Sequence, residues 1–335
     1  MLNKLHFILA LMGASATVHA QLQAEQLAVV INDSDPSSVT IGEYYRQARG
    51  IADKNIIHVN IADRPHSLDP LQFKHLKEQI EAHLDADIQA IVMVWTAPYA
   101  VGCNSITSAL TLGYNGAQCD NSCGPGKISP YFNSTSTLPF KDHGVRLSML
   151  LPADSVESAK SLIDRGVSSG FQVPQASAYY LNTSDTARSS RARFFPPSGR
   201  IAQKRLTIKN MKADTLEGAQ DIMVYQTGLV RVPKLNTLHF LPGALADHLT
   251  SVGGDLLGGS QMSSLRWLEA GATASYGTVS EPCNYWQKFP NPSVLLKHYL
   301  AGTSAIEAYW SSVAWPAQGL IIGEPLAAPY QHRTY

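Results

Sequence analysis

The chain has 335 residues, of which 44% are hydrophobic and 16% are charged, and its 26 basic side chains balance 26 acidic ones. Such a balance excludes the basic surface with which proteins bind nucleic acid or an anionic membrane. The length allows a large hydrophobic core in one domain or two. No apolar run beyond the N-terminal segment reaches the roughly 18 residues of a transmembrane helix.

The first 20 residues have the layout of a secretory signal peptide. Lys4 precedes an apolar stretch at 5–12, and small residues follow up to Ala20. Cleavage after Ala20 would start the mature chain at Gln21. We therefore expect export to the periplasm or the medium, with no membrane span left after cleavage.

Four cysteines lie in the mature chain, at Cys103, Cys119, Cys123 and Cys283. An even number of cysteines in an exported chain predicts two disulfides, for which three pairings are possible. Cys103 and Cys283 each follow an apolar run, so we expect them to pair at one sheet edge and to leave Cys119 with Cys123. A zinc site is the weaker alternative, because Cys119-x3-Cys123 has no histidine pair nearby.

Short apolar runs rich in β-branched residues alternate with amphipathic stretches. This alternation predicts an α/β fold with a mainly parallel sheet and helices on both faces. In the first half we predict strands at 27–31, 56–61, 90–95, 145–151 and 176–181, and helices at 39–49, 70–84 and 154–166, the last opened by Asp154-x-x-Glu157. In the second half we predict strands at 221–225, 238–241, 273–276 and 319–322, and helices at 244–250, 263–270, 294–300 and 305–313.

Two segments break this alternation. Residues 96–142 are rich in Gly, Pro, Ser and Asn and hold three of the four cysteines, so they form either one wall of a binding site or a stapled surface loop. Residues 186–205 are polar and basic, and we expect a solvated loop there rather than a phosphate or carboxylate site. Four arginines crowd together in that segment, namely Arg188, Arg191, Arg193 and Arg200. The same segment separates an N-terminal part, 21–185, from a C-terminal part, 206–335, which we expect to share one continuous sheet.

Polar side chains with potential chemistry concentrate at 241–251 and 275–283, after two predicted strands. Parallel sheets bind ligands at the carboxyl ends of their strands, so we expect any site to lie there. His248, Ser251 and Glu281 supply the groups needed for acid/base or nucleophilic catalysis. Further candidates for ligand binding are Asp247, Thr250, Gln261 and Tyr276. The structural alternative is that Asp247 caps a helix and His248 packs in a polar core.

Specific catalytic motifs are absent from the sequence. There is no G-x-S-x-G, H-E-x-x-H, P-loop or strand-linked G-x-G-x-x-G. No cofactor, metal or partner is therefore indicated.

Six blocks of sequence, at 32–38, 44–51, 55–57, 146–149, 242–251 and 271–279, together resemble an exported bacterial protein family of unknown function. The resemblance covers nearly the whole mature chain. It implies export, but it brings no activity or site with it.

The strand order 221–225, 238–241, a helix, a strand from Gly271 and the run 321–326 resembles the second half of gingipain-type cysteine peptidases of the caspase-like clan. Those enzymes place a His-Gly after the first of these strands and a nucleophilic Cys after the second. The matching places hold Gln-Thr-Gly at 226–228 and Pro-Gly-Ala at 242–244.

That resemblance implies a caspase-like or flavodoxin-like core without the catalytic dyad. The first hypothesis for function is a non-peptidase binding or scaffolding protein. The alternative is a hydrolase-like enzyme with a site around His248, Ser251 and Glu281.

Overall fold

A computed structural model describes residues 21–170 and 175–331. The expected signal peptide lies outside the described residues. The strands are β1 (Leu27–Asn32), β2 (Ile56–Val59), β3 (Ser67–Leu68), β4 (Ala90–Val94), β5 (Ala100–Val101), β6 (Asn104–Ser105), β7 (Leu147–Leu150), β8 (Ala176–Asn182), β9 (Gly199–Ile201), β10 (Leu206–Lys212), β11 (Ile222–Thr227), β12 (Phe240–His248), β13 (Ala274–Thr278) and β14 (Gly319–Gly323). The α-helices are α1 (Pro36–Arg49), α2 (Pro70–Glu81), α3 (Ile106–Leu112), α4 (Ala117–Asp120), α5 (Pro139–His143), α6 (Val156–Ser168), α7 (Leu265–Glu269), α8 (Pro292–Leu300) and α9 (Ala305–Ser312).

The main sheet has 11 strands in the order β2-β1-β4-β7-β14-β13-β12-β11-β8-β10-β9, and β3, β5 and β6 form a second, small sheet. Neighbours in the main sheet are parallel except at β13–β14 and at β9–β10. The antiparallel β13–β14 pair therefore joins two parallel halves that run in opposite directions. In the first half β1 lies between β2 and β4, and in the second half β8 lies between β10 and β11, as in doubly wound sheets. Because the two halves run in opposite directions, the carboxyl ends of their strands lie on opposite sides of the molecule.

Both faces of the sheet are covered. Every residue of β1, β4, β7, β11, β13 and β14 is buried, which is typical of strands packed between two layers. The predicted fold class, an α/β fold with a mainly parallel sheet, is confirmed. No helix within 21–170 or 175–331 is long and apolar enough to cross a membrane.

Helix starts follow local capping rules. Asp35 caps α1, where its side chain accepts from the Ser37 N–H at 3.0 Å, and Pro36 occupies the first helical position. The predicted Asp154-x-x-Glu157 start of α6 is wrong. Ser155 caps that helix by accepting from the Ser158 N–H at 3.1 Å, because the Asp154 carboxylate instead pairs with Arg266 at 3.1 Å.

The predicted helix at 244–250 is wrong, because β12 continues through this stretch to His248. Small and apolar residues at 244–246 suit a helix or a strand, and tertiary pairing decides between them. The β11 strand pairs in parallel along one edge of β12, from Val224↔Leu245 to Thr227↔His248. On the other edge, β13 pairs at Leu245↔Ala274.

Strands β9 and β10 were not predicted. They lie at the end of the main sheet, and β10 carries Lys209, Asn210 and Lys212 among its seven residues. This polar composition hides the alternation expected of a half-buried strand.

The 96–142 segment is more ordered than its composition predicts. It holds β5, β6, α3, α4 and α5, and six of the seven residues of α3 are buried. The hydroxyls of Ser105 and Thr107 both donate to the Gly319 carbonyl, at 2.5 and 3.3 Å. The start of α3 is therefore fixed to the start of β14.

Candidate functional site

The disulfides join Cys103 to Cys119 and Cys123 to Cys283, with Cα atoms 5.3 and 5.1 Å apart. The predicted pairing of Cys103 with Cys283 and of Cys119 with Cys123 is wrong. The observed pairing of Cys103 with Cys119 has a local cause. The β5–β6 turn and α4 fold together, and the Cys103 N–H points at Cys119 Sγ at 3.3 Å. The second disulfide ties this folded segment to the loop that follows β13. All cysteines of the described chain are paired.

Strands β11 and β12 end side by side at the carboxyl edge of the second half of the sheet. Gln226 pairs with Asp247, and Thr227 pairs with His248. Because side chains alternate along a strand, Asp247 and Gln226 lie on one face while His248 and Thr227 lie on the other. Asp247 therefore cannot orient the His248 ring.

Asp247 forms a buried ion pair with Arg191. Arg191 Nη1 lies 2.5 Å from Asp247 Oδ1, and the two side chains are only 2% and 1% exposed. The Gln226 amide donates to Asp247 Oδ2 at 2.9 Å, and the Tyr309 hydroxyl lies 3.5 Å from the same oxygen. Burial raises the pKa of Asp247, while Arg191 and Gln226 oppose that rise.

The prediction that the arginine-rich segment is solvated is therefore wrong for Arg191. Its Nη2 donates to the carbonyls of Thr227 and Asp247, at 2.9 and 3.2 Å. Buried carbonyls at strand ends need donors, and the guanidinium supplies several from one side chain. Arg193 and Arg200 are exposed, as expected of a solvated segment.

His248 is held by Trp267. The indole Nε1 donates to His248 Nδ1 at 2.9 Å, and the ring is 1% exposed. Burial, together with the positive charges of Arg191 and Arg188, lowers the pKa of His248 to about 3, and the backbone of Met262 opposes this shift. The ring is therefore neutral at physiological pH.

The hydrogen bond from Trp267 also fixes the tautomer of His248. An indole N–H can only donate, so Nδ1 carries the lone pair and Nε2 carries the proton. The one lone pair of the neutral ring is thus already occupied. Because Nε2 carries the proton, His248 has no free lone pair with which to act as a general base.

Thr250 belongs to a group of polar side chains that reaches the surface. We name this group the Arg188 cluster (Asp185, Arg188, Thr250 and Gln261). The Thr250 hydroxyl donates to Gln261 Oε1 at 2.5 Å and accepts from Arg188 Nε at 3.2 Å. Arg188 Nη1 donates to Asp185 Oδ2 at 2.8 Å. The Arg188 side chain is 21% exposed, so this cluster is partly accessible to solvent.

The other predicted site residues are apart from His248. The buried Tyr276 hydroxyl donates to the Lys288 carbonyl at 2.5 Å. Ser251 is half-buried, and its carbonyl accepts from Thr278 Oγ1 at 2.9 Å. Glu281 is exposed, and its carboxylate accepts from the Cys283 N–H at 2.8 Å. None of these hydrogen bonds links Ser251 or Glu281 to the His248 ring.

Two side chains that contact the candidate residues have no local sequence signal for that contact. Trp267 lies in a predicted helix, and Gln226 belongs to the Gln-Thr-Gly at 226–228. Within 21–170 and 175–331, buried polar atoms near these strand ends lack hydrogen-bond partners; they include Tyr180 OH, Arg191 Nε, Gln226 Oε1, Thr227 Oγ1, His248 Nε2, Ser275 Oγ and Asp247 Oδ1, the last of which faces Arg191 in the ion pair. No group of three or more His, Cys, Asp or Glu side chains in the described chain could hold a metal ion.

The position expected for a nucleophile also needs correction. Residues 242–244 lie inside β12 rather than after it, because the strand ends at His248. The residues that follow β11 and β12 are Gly228 and 249–251, and none of them is a cysteine. Position 228 requires glycine because the main chain of Arg188 passes close to it. A Cβ there would lie 2.0 Å from the Arg188 carbonyl oxygen.

No protein-family model and no curated protein matches the sequence. Membership of the exported bacterial family remains a prediction. Among solved structures, the chain is similar to the Arg-specific cysteine proteinase gingipain R, with a TM-score of 0.43, 12% identity, and coverage of 91% of this chain and 78% of that one. It is also similar to a structure described only as a protease, with a TM-score of 0.45, 10% identity, and coverage of 92% and 79%. A third similar structure is the complex of the pro- and mature domains of Porphyromonas gingivalis RgpB, with a TM-score of 0.40, 11% identity, and coverage of 90% and 79%.

Proposed function

We propose that this protein is an exported binding protein without peptidase activity, and that its ligand contacts the Arg188 cluster through a carboxylate. The observation that carries the proposal is the hydrogen bond from Trp267 to His248 Nδ1, at 2.9 Å. It uses the lone pair that a catalytic histidine would need.

The remaining reactive groups at the strand ends also serve structure. Asp247 is neutralised by Arg191 in a fully buried pair. The cysteines of the described chain are all in disulfides, so none supplies a thiolate. These contacts favour the binding hypothesis over the hydrolase-like alternative around His248, Ser251 and Glu281.

The Arg188 cluster retains donors for a ligand. Arg188 Nε and Nη1 are used within the cluster, whereas Nη2 makes no hydrogen bond to any described residue. Gln261 accepts at Oε1 from Thr250 and from the Val252 N–H, at 2.5 and 3.1 Å, which leaves its Nε2 without an acceptor in the described chain. Guanidinium and amide N–H groups together suit a carboxylate, which accepts at both oxygens.

Export is supported by the disulfides. Two disulfides in one chain are typical of an oxidising compartment, and both pairs are formed in the described chain. Together with the signal-peptide layout of residues 1–20, this supports a periplasmic or secreted location.

A matched pair of probes tests the binding proposal. Acetyl-aspartyl amide and acetyl-asparaginyl amide have the same shape and differ in one negative charge. We expect the aspartyl probe to raise the Tm and to shift NMR signals of the 183–191 and 249–262 segments, and the asparaginyl probe to do much less.

Arg188→Gln should remove the response to the aspartyl probe, because it deletes the guanidinium donors. Arg193→Gln is the control, since Arg193 is exposed on the same segment and lies over Phe194 instead. An equal response of parent and Arg188→Gln, or no response of the parent to the aspartyl probe, would refute the proposed contact.

A further inference from the structure

Glu307 is a buried carboxylate close to the start of the described chain. It is the third residue of α9, and it is 1% exposed. Its Oε2 accepts from the Leu22 N–H at 3.1 Å, the Ser304 N–H at 2.9 Å and the Ser304 hydroxyl at 2.5 Å. Its Oε1 has no hydrogen-bond partner in the described part of the chain.

Only one of the two oxygens of this carboxylate, Oε2, has hydrogen-bond partners in the described chain. Oε2 takes part in the capping box with Ser304 at the start of α9, and such a box needs a single oxygen. No Lys, Arg or His of the described residues pairs with Glu307, whereas buried carboxylates normally have a cationic partner. Burial and the charge of Glu307 raise the pKa of the Tyr131 hydroxyl, so Tyr131 is neutral and supplies no positive charge. Oε1 is therefore the atom of this carboxylate that lacks a compensating partner.

The segment that contacts Glu307 is the start of the described chain, at residues 21–22. Leu22 is 1% exposed and Gln21 is 7% exposed, so both are held against the protein. The nitrogen of Gln21 is separated from the nitrogen of Leu22 by three bonds, with a summed length of about 4.3 Å. Because Leu22 N lies 3.1 Å from Oε2, the Gln21 nitrogen lies at most about 7.4 Å from that oxygen, so a small movement of the first residue would bring a positive charge there within the range of strong interaction, about 4–6 Å.

We propose that hydrolysis of the Ala20–Gln21 peptide bond creates the missing cation, and that the new α-ammonium group of Gln21 pairs with Glu307 Oε1. This inference rests on the proposed export, because a signal-processing peptidase would make the cut. Water adds its hydroxyl to the Ala20 carbonyl carbon and a proton to the released nitrogen, and the new Ala20 carboxyl group then gives up its proton to that amine. An amide nitrogen that cannot carry charge thereby becomes an ammonium group at the position where the carboxylate lacks a partner.

The consequence is that processing stabilises the fold. Before cleavage, burial without a cation raises the pKa of Glu307 to about 7. After cleavage, the ammonium group favours the ionised carboxylate and holds Gln21 against the start of α9. The same helix carries Tyr309, whose hydroxyl contacts Asp247. The ion pair would therefore hold the helix that covers the Asp247–Arg191 pair.

The test compares two purified chains that begin at residue 21 and at residue 20. Both carry Gln21→Ala, which prevents a terminal glutamine from cyclising and losing its charge. We expect the chain that begins at residue 21 to melt about 2–6 °C higher at neutral pH. Glu307→Gln should lower the Tm of that chain to the level of the longer one and should abolish the difference between them.

Two further results decide the matter. Equal Tm values for the two chains, or a difference that persists in Glu307→Gln, would overturn the ion pair irrespective of whether the protein is exported. N-terminal sequencing of the exported protein tests the processing step separately. A first residue other than Gln21 would overturn the assignment of this cleavage, and a first residue of Gln21, unmodified, would support it.

Discussion

Trp267 Nε1 donates to His248 Nδ1 at 2.9 Å, and the pair is buried at the end of β12. This arrangement keeps His248 neutral in the folded protein, with a pKa lowered from 6.5 to about 3. The unfolded chain binds a proton on this ring at pH values where the folded chain does not. Stability from His248 is therefore present above about pH 6.5 and is lost as the pH falls toward 3.

We predict that the free energy of unfolding decreases with falling pH between these values, with a contribution from His248 of at most about 1.4 kcal/mol per pH unit. His298, whose pKa is lowered to about 4, contributes in the same direction. His248→Asn retains an acceptor for Trp267 but cannot be protonated, so its stability should depend less steeply on pH than that of the parent. Urea unfolding at a series of pH values measures both slopes. Identical slopes would show that the His248 ring is not held neutral.

The Arg191–Asp247 pair yields a second prediction. Arg191→Met removes the cation and leaves the buried Asp247 carboxylate unpaired, so we expect a loss of about 3–5 kcal/mol in the free energy of unfolding. Adding Asp247→Asn should restore part of that loss, because the remaining amide carries no charge. Chemical denaturation of the parent, the single variant and the double variant measures the coupling. A double variant no more stable than Arg191→Met would show that the charge of Asp247 is unimportant.

The two disulfides should differ in their contribution to stability. The Cys123–Cys283 link spans 160 residues and the Cys103–Cys119 link spans 16. Loop-closure entropy then predicts about 5 kcal/mol for the long link and about 3 kcal/mol for the short one. Replacing both cysteines of each pair by serine, and measuring urea unfolding, compares the two values. Non-reducing peptide mapping checks the pairing, and a peptide that links Cys103 to Cys283 would contradict it.

We predict no thiol-dependent peptidase activity. The residues after β11 and β12 are Gly228 and 249–251, which include no cysteine, and no described cysteine is free. Reporter peptides with Arg or Lys before the scissile bond should therefore remain intact, with or without a mild reductant. Cleavage that a thiol alkylator blocks would be the contrary result, and a Cys123→Ser/Cys283→Ser variant would show whether a released thiol is responsible.

The sequence predicted those features of the fold that depend on periodicity. Fully buried strands such as β1 and β4 have continuous apolar runs, and these were placed within a residue or two. The β12 strand was missed beyond 241 because the residues 244–248 suit two structures, and only pairing with β11 and β13 decides. The disulfide pairing was missed because the spacing of cysteines does not show how the 96–142 segment folds back on itself.

The candidate site was predicted only in part. The sequence placed the site after the predicted strands that end near 241 and 276, whereas Asp247 and His248 are the last residues of β12 and pair with β11. Their roles depend on side chains that are distant in sequence, namely Arg191 and Trp267, which no local pattern connects to them. The alternation of side chains along β12 also separates Asp247 from His248, which a helix would have placed differently.

The last prediction concerns Gly228, which follows β11 directly beneath the Arg188 main chain. A Cβ at this position would lie 2.0 Å from the Arg188 carbonyl oxygen and 2.7 Å from its carbon, so Gly228→Ala must displace the 183–191 segment. Displacement would weaken the contact of Arg188 with Thr250, so we expect a loss of about 1–3 kcal/mol in stability and faster proteolysis of that segment. Binding of the aspartyl probe should weaken as well. Gly259→Ala is the matched control, because nothing lies within 4 Å of a Cβ there, and its stability should stay within about 0.5 kcal/mol of the parent. If Gly228→Ala melts and binds like Gly259→Ala, then the close packing of Arg188 on Gly228 does not position the cluster.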